Sequence, residues 1–180
     1  MSKRKLSHTR NIQVQAFERE DGLWDIEAHL TDKKHFSLGT PDRELITSDD
    51  YLHDMCFRIA LDLDMTIQEV EATMSDTPYL RCPDVLPNYQ RLLGVVIGPG
   101  WQREIKQRLG ATEGCTHLRE LLGPMATVAY QAITDAVYRP IDYSENPQIF
   151  KPLVDSCYGL DAAGDVIPRL WPEFVEVKTN

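Results

Sequence analysis

Residues 12–17 (IQVQAF) alternate apolar and polar side chains, the period-two pattern of a strand with one buried face. Glu20-Asp21-Gly22 supplies turn residues. Trp24, Ile26, Ala28 and Leu30 then alternate with Asp25, Glu27, His29 and Thr31, so the two runs predict a hairpin. Residues 33–52 are polar and irregular and predict a long loop ending at Tyr51-Leu52-His53-Asp54. Phe57, Ile59 and Leu61 mark a third strand. Asp62-Leu63-Asp64 turns the chain into a fourth, over 66–74, which makes a second hairpin.

After Pro83 the period becomes helical, with Val85, Tyr89, Leu92 and Leu93 on one face. Gly98-Pro99-Gly100 breaks it. Trp101, Ile105 and Leu109 predict a short helix closed by Gly110. A longer helix is predicted from Cys115 to about Tyr138, with Leu118, Leu121, Leu122, Met125, Ala129, Ala132, Ile133 and Ala136 as its buried stripe. Pro124 is expected to kink or restart it. Beyond residue 138 prolines concentrate and periodicity fades, while Ile149, Phe150, Leu153, Trp171 and Phe174 keep apolar surface. The expected organisation is a flexible arm over 1–10, one α+β domain over 11–138, and an extension over 139–180 packed on that domain. The domain is expected to hold an antiparallel sheet of two hairpins with three helices on one face.

Composition narrows function by exclusion. The chain has 180 residues and a formal net charge of -9. Nucleic acid as the main partner is excluded, because phosphate neutralisation needs clustered Lys and Arg, and only Lys3-Arg4-Lys5 offers such a cluster. No apolar run approaches the roughly 20 residues of a membrane span. The start, MSKRKLSHTR, has no apolar stretch of the kind a signal peptide carries, so a cytoplasmic protein without a membrane partner is expected. Cys56, Cys82, Cys115 and Cys157 show no CxxC pairing and are expected to be reduced thiols.

Candidate chemistry gathers at junctions. Cys115 and His117 stand two apart at the start of the long helix, where unpaired N–H groups favour a thiolate. Cys82 lies in a loop between strand and helix, and His53-Asp54 opens the third strand. Two sulfurs with one or two N or O donors suit zinc or iron. The same types also suit a capping or core histidine and packed thiols. Asp25, Glu27 and His29 share one strand face and could serve as acid–base groups, or form the solvated face of an edge strand. His8 and Arg10 fall outside the predicted elements, as a substrate-binding pair or as ordinary surface. Trp24 and Trp101 read as core or pocket wall. P-loop, dinucleotide, GxSxG and HExxH patterns do not occur.

The order Asp54, strand, hairpin, strand, Cys82, helices, then Cys115 and His117 resembles the iron–sulfur cluster scaffold family of the NifU N-terminal type. That resemblance covers about residues 52–138 and implies ligand positions at Asp54, Cys82, Cys115 and His117. The chain departs from it in lacking one upstream cysteine, where His53 is nearest. It also has Cys-x-His in place of an adjacent His-Cys pair, and no glycine-rich surround at Cys82. Fewer thiolates favour a mononuclear ion over a cluster. His8-Thr9-Arg10, DGLWDIEAHLTD (21–32), His53-Asp54-Met55, GVVIGPGW (94–101), GCTHLRELLGP (114–124) and Cys157 resemble a bacterial family of unknown function. That resemblance implies no assigned reaction, and it associates the chain with small-molecule catabolism, including that of aromatic compounds. It also implies a core role for Cys56 and places Cys157 outside the ligand set.

Three functions are therefore carried forward. The first is an enzyme, a lyase, decarboxylase or hydrolase, acting on a small organic substrate. It would hold one zinc or iron at Cys82, Cys115, His117 and Asp54 or His53, with Asp25, His29 or Arg10 handling protons or a substrate carboxylate. The second is a non-enzymatic metal or iron–sulfur carrier. The third is a metal-free protein in which these residues are structural or Cys115 is a nucleophile. A homo-oligomer is left open.

Overall fold

The computed structural model describes residues 2–138 and 147–175. Four strands, β1 (His8–Glu18), β2 (Trp24–Lys34), β3 (His53–Leu61) and β4 (Ile67–Asp76), form one antiparallel sheet in chain order. Each connection is a hairpin except the longer excursion over 35–52, which a Leu38–Ile46 bridge folds back on itself. Ile46 is buried there. In the first hairpin Gly22 takes φ 86°, a left-handed conformation that glycine adopts without strain.

Two strands are longer than their apolar period suggests. β1 starts at His8, so the predicted arm is shorter and His8 and Arg10 lie on a strand. β2 runs on to Lys34. The added rungs, His8 opposite Lys34 and Arg10 opposite Asp32, are polar, so hydropathy hides them while the backbone ladder continues. β2 is also an interior strand, between β1 and β3, and not an edge.

The helical expectations hold with one correction. Residues Cys82–Leu92 form a 3-10 helix, not an α-helix. Pro87 inside it removes a backbone donor and disfavours the α-ladder. α1 (Trp101–Leu109) and α2 (Thr116–Tyr138) follow as expected, and α2 runs through Pro124 without restarting.

Parity along the strands decides which face is covered. Ile26, Ala28 and Leu30 of β2 and Met55, Phe57, Ile59 and Leu61 of β3 are buried. They share one core with Trp101, Ile105 and Leu109 of α1 and with Leu118, Leu121, Leu122, Met125, Ala129 and Ile133 of α2. Both helices therefore cover the same face, and the protein is an α+β fold. Trp101 is core, and its indole N–H donates to the Leu122 carbonyl at 3.1 Å. Tyr89 is fully buried and meets the Phe57 ring edge-on at 5.1 Å.

The described residues from Tyr138 to Val175 belong to a second compact unit. Within its described part are short 3-10 turns and α3 (Val166–Leu170), whose Ile167 is buried. Residues 139–146 and 176–180, and the side chains of Ile149 and Phe150, lie outside the described residues. Among the described residues no helix is long and apolar enough to cross a membrane.

Candidate functional site

The covered face carries one polar cluster at the ends of β1, β2 and β3, where the ladder meets the start of α2. Asp32 has the same strand parity as Ile26, Ala28 and Leu30, so its carboxylate points into the covered face and is 1% exposed. A buried carboxylate is costly unless paired. Arg10 meets it with two parallel bonds, Nε to Oδ1 at 2.8 Å and Nη2 to Oδ2 at 2.6 Å. His53 donates from Nδ1 to Oδ2 at 2.9 Å, and His8 Nε2 lies 3.0 Å from Oδ1. His117 Nε2 stands 3.9 Å from Oδ2. The other end of Arg10 reaches Glu120 of α2.

The two central imidazoles are stacked, with ring centroids 3.9 Å apart and a 37° tilt. Burial lowers the pKa of His53, and neighbouring His117 lowers it further, against Asp32, which raises it. Burial likewise lowers that of His117, helped by the Arg10 charge. Burial alone would raise the Asp32 carboxyl, but the hydrogen bonds and charge of Arg10, then those of His53, outweigh it and hold the group at about 2. The Arg10 guanidinium balances the Asp32 charge, and both imidazoles are shifted towards the uncharged form, in which they can accept a proton or bind a cation.

The start of α2 is pinned to deliver His117. The Tyr89 hydroxyl donates to the Cys115 carbonyl at 3.1 Å and accepts from the Cys115 N–H at 2.9 Å. Arg119 N–H closes the first turn on the Cys115 carbonyl at 3.0 Å. A Cβ on Gly114 would sit 2.5 Å from the Leu109 carbonyl oxygen, so only glycine lets the chain approach α1 this closely. Cys115 Sγ lies 3.7 Å from His117 Nδ1, on the opposite side of the ring from the nitrogen that faces Asp32.

A family model described as a protein of unknown function (DUF2889) matches residues 8–131. The chain belongs to this family. No curated protein and no solved structure matches it. The matched span contains every residue of the cluster, from His8 to Glu120.

The residues expected to form one centre are divided by the sheet. Arg10, His53 and His117 converge, with Cys115 behind the ring. Asp54 follows His53 directly, so strand alternation turns it to the opposite face, where it takes a 2.7 Å contact from His29 Nε2. Asp54 therefore does not join His117, as the scaffold resemblance implied. Asp25 and His29 lie on that outer face with it. Asp25 is held there by Arg58 at 2.8 Å and Arg19 at 3.3 Å. Cys82 lines an open depression of about 590 Å³ together with Cys115, and belongs to no group of three close donors among the described residues. Asp32 and Glu120 are the members that residue spacing did not single out, while His8, expected with Arg10 as a substrate-binding pair or as surface, lies against Asp32.

Proposed function

We propose that this protein is an enzyme acting on a small organic molecule at the Asp32–His53–His117 centre, with one zinc or iron ion as cofactor. The observation that carries the proposal is the convergence of a carboxylate oxygen and two imidazole nitrogens, from β2, β3 and the start of α2, all within 4.8 Å of one another. Two neutral imidazoles and a carboxylate form a donor set suited to zinc or iron, and leave coordination positions for water or substrate. The chemistry of the set fits an ion. His53 Nδ1 donates to Asp32 Oδ2, so an ion taken up at that nitrogen would shift the ring proton to Nε2. An ion held there would polarise a carbonyl or acidify a bound water.

The protein groups have separate tasks in this reading. Arg10 spans both oxygens of Asp32 and His8 lies at Oδ1, which fixes the carboxylate's orientation, and an ion would share Oδ2 with the Arg10 Nη2 bond. Cys115 faces His117 Nδ1 and sets the ring's angle. Ion binding then weakens as pH falls, because protonated imidazoles are not ligands. A lyase, decarboxylase or hydrolase would all use such a centre, and an aromatic substrate accords with the family resemblance. A cytoplasmic setting accords with the sequence. The scaffold-like carrier reading is less favoured, because one thiol at most adjoins the centre and clusters are held by several thiolates.

A second reading has its own observation. Cys115 Sγ, His117 and Asp32 lie in line at 3.7 and 3.9 Å, the order of a thiol, a base and an orienting acid. There Cys115 would be the nucleophile, with no ion needed. Metal analysis of protein purified without chelator, followed by a turnover screen over small carboxylic acids and esters, separates the two. The metal reading expects bound zinc or iron, and turnover lost in His117→Ala and in Asp32→Asn but kept in Cys115→Ala. Turnover without metal, lost in Cys115→Ala, would replace it with the thiol reading.

A further inference from the structure

The outer face of the sheet is open, and at its centre three different donors meet. His29 of β2 stands directly opposite Cys56 of β3, and Asp54 precedes Cys56 by two residues on the same face. An imidazole nitrogen, a carboxylate oxygen and the thiol sulfur all lie within 4.8 Å of one another. We propose that His29, Asp54 and Cys56 form a second metal site that takes a zinc-class divalent cation, separate from the Asp32 centre and independent of its proposed role.

The geometry suits chelation. Directly opposed residues of an antiparallel pair place their Cβ atoms about 5 Å apart, and the backbone holding them is a hydrogen-bonded ladder. Zinc bonds of about 2.0–2.3 Å require tetrahedral ligand atoms to stand about 3.3–3.8 Å from one another, which small side-chain rotations reach from the separations here. The 2.7 Å contact between His29 Nε2 and Asp54 Oδ1 is a hydrogen bond whose proton occupies the place of an ion. On uptake the imidazole proton shifts from Nε2 to Nδ1 and the thiol proton leaves to solvent, and three protein–metal bonds form, with water in the fourth position.

The surroundings favour a cation. Cys56 and His29 line a depression of about 240 Å³ whose wall also carries Glu27 and Glu71, countered by Arg58. One nitrogen, one oxygen and one sulfur select borderline metals such as zinc over calcium or magnesium, which prefer oxygen alone. Both His29 and Cys56 are exposed, so Cys56 is not the core residue expected from the sequence, and the site exchanges its ion with solvent readily. Asp54 follows His53 in sequence, so the two centres lie on opposite faces of the start of β3.

The test reads Cys56 itself. The full chain, reduced and stripped with chelator, is alkylated with iodoacetamide with and without zinc, and each cysteine is followed by peptide mass spectrometry. Zinc is expected to slow modification of Cys56 by about tenfold or more, since the metal-bound sulfur is no longer a free nucleophile. Protection should vanish in His29→Gln and weaken in Asp54→Asn, and should persist in His117→Ala. Failure of the inner centre would leave Cys56 protection intact, so the two claims fall separately. Modification of Cys56 at the same rate with and without zinc would overturn the site, as would protection that survives His29→Gln.

Discussion

The two faces of this sheet hold the same kinds of side chain in opposite circumstances. On the covered face Asp32 is 1% exposed, and its carboxylate is surrounded by Arg10, His53 and His8. On the outer face Arg58 and Arg19 bridge Asp25 and Glu69, and each adds a further carboxylate, Glu71 or Asp21, in a partly exposed lattice where no carboxylate is as buried as Asp32. Because Asp32 is buried, it depends on these partners, and removing it strands Arg10 and His53 without their anion in a poorly solvated place. Exposed, each partner is replaceable by water and salt. The fold can therefore tolerate change in the outer lattice more readily than in the inner cluster.

The contrast can be broken most directly at Asp32. Asp32→Ala leaves Arg10 and His53 without their anion and should cost about 3–5 kcal/mol of stability, measured by chemical denaturation. A loss below about 1 kcal/mol would place Asp32 with the outer carboxylates. Tyr89→Phe comes next. It removes a hydroxyl that makes two hydrogen bonds to the Cys115 backbone and should cost about 1–3 kcal/mol. It should also loosen metal binding, because the same contacts hold the start of α2 and thus His117. Arg58→Ala should be the smallest, at about 0.5–1 kcal/mol, and should fade further at high salt.

Acid should unfold the inner cluster in two stages. His53 and His117 have lowered pKa values, so they favour folding when neutral. Their contribution is complete above the unfolded value of about 6.5 and declines as pH drops below it. Asp32 is held at about 2, so its contribution is present above the unfolded carboxylate value of about 3.9 and is lost as pH falls from there towards 2. Thermal melts across pH should show both steps in the wild type, and Asp32→Asn should lack the lower one.

Much of the fold was legible because hydropathy reports burial directly. The two hairpins, α1 and α2 follow from residues such as Ile26, Phe57, Ile105 and Leu121, whose spacing states which face is covered. The 3-10 helix was not legible, since Val85 and Tyr89 keep a helical spacing whichever hydrogen-bond ladder Pro87 permits. The site was harder to read because its residues break the pattern that reveals elements. The signal was nevertheless present. Asp32 sits in register with Ile26, Ala28 and Leu30, His53 with Met55 and Phe57, and Arg10 with Ile12 and Val14. A polar residue on the apolar parity of a strand must find partners inside, and three adjacent strands each offer one. Spacing between cysteines carried less. Cys82 and Cys115 share a depression, yet Cys82 joins no cluster of donors. The pairing of His53 with Asp54 failed as a unit for a simpler reason, since neighbours on a strand face opposite ways.

X-ray absorption at the metal edge of the Cys56→Ala chain, purified without chelator, tests the central claim most directly, since that substitution removes the outer thiol. The expected spectrum is a zinc or iron edge with a shell of nitrogen and oxygen at about 2.0–2.2 Å, imidazole scattering from two rings, and no sulfur. A sulfur shell at about 2.3 Å would move the centre to Cys82 and Cys115, and a sample without a metal edge would contradict the Asp32–His53–His117 site altogether.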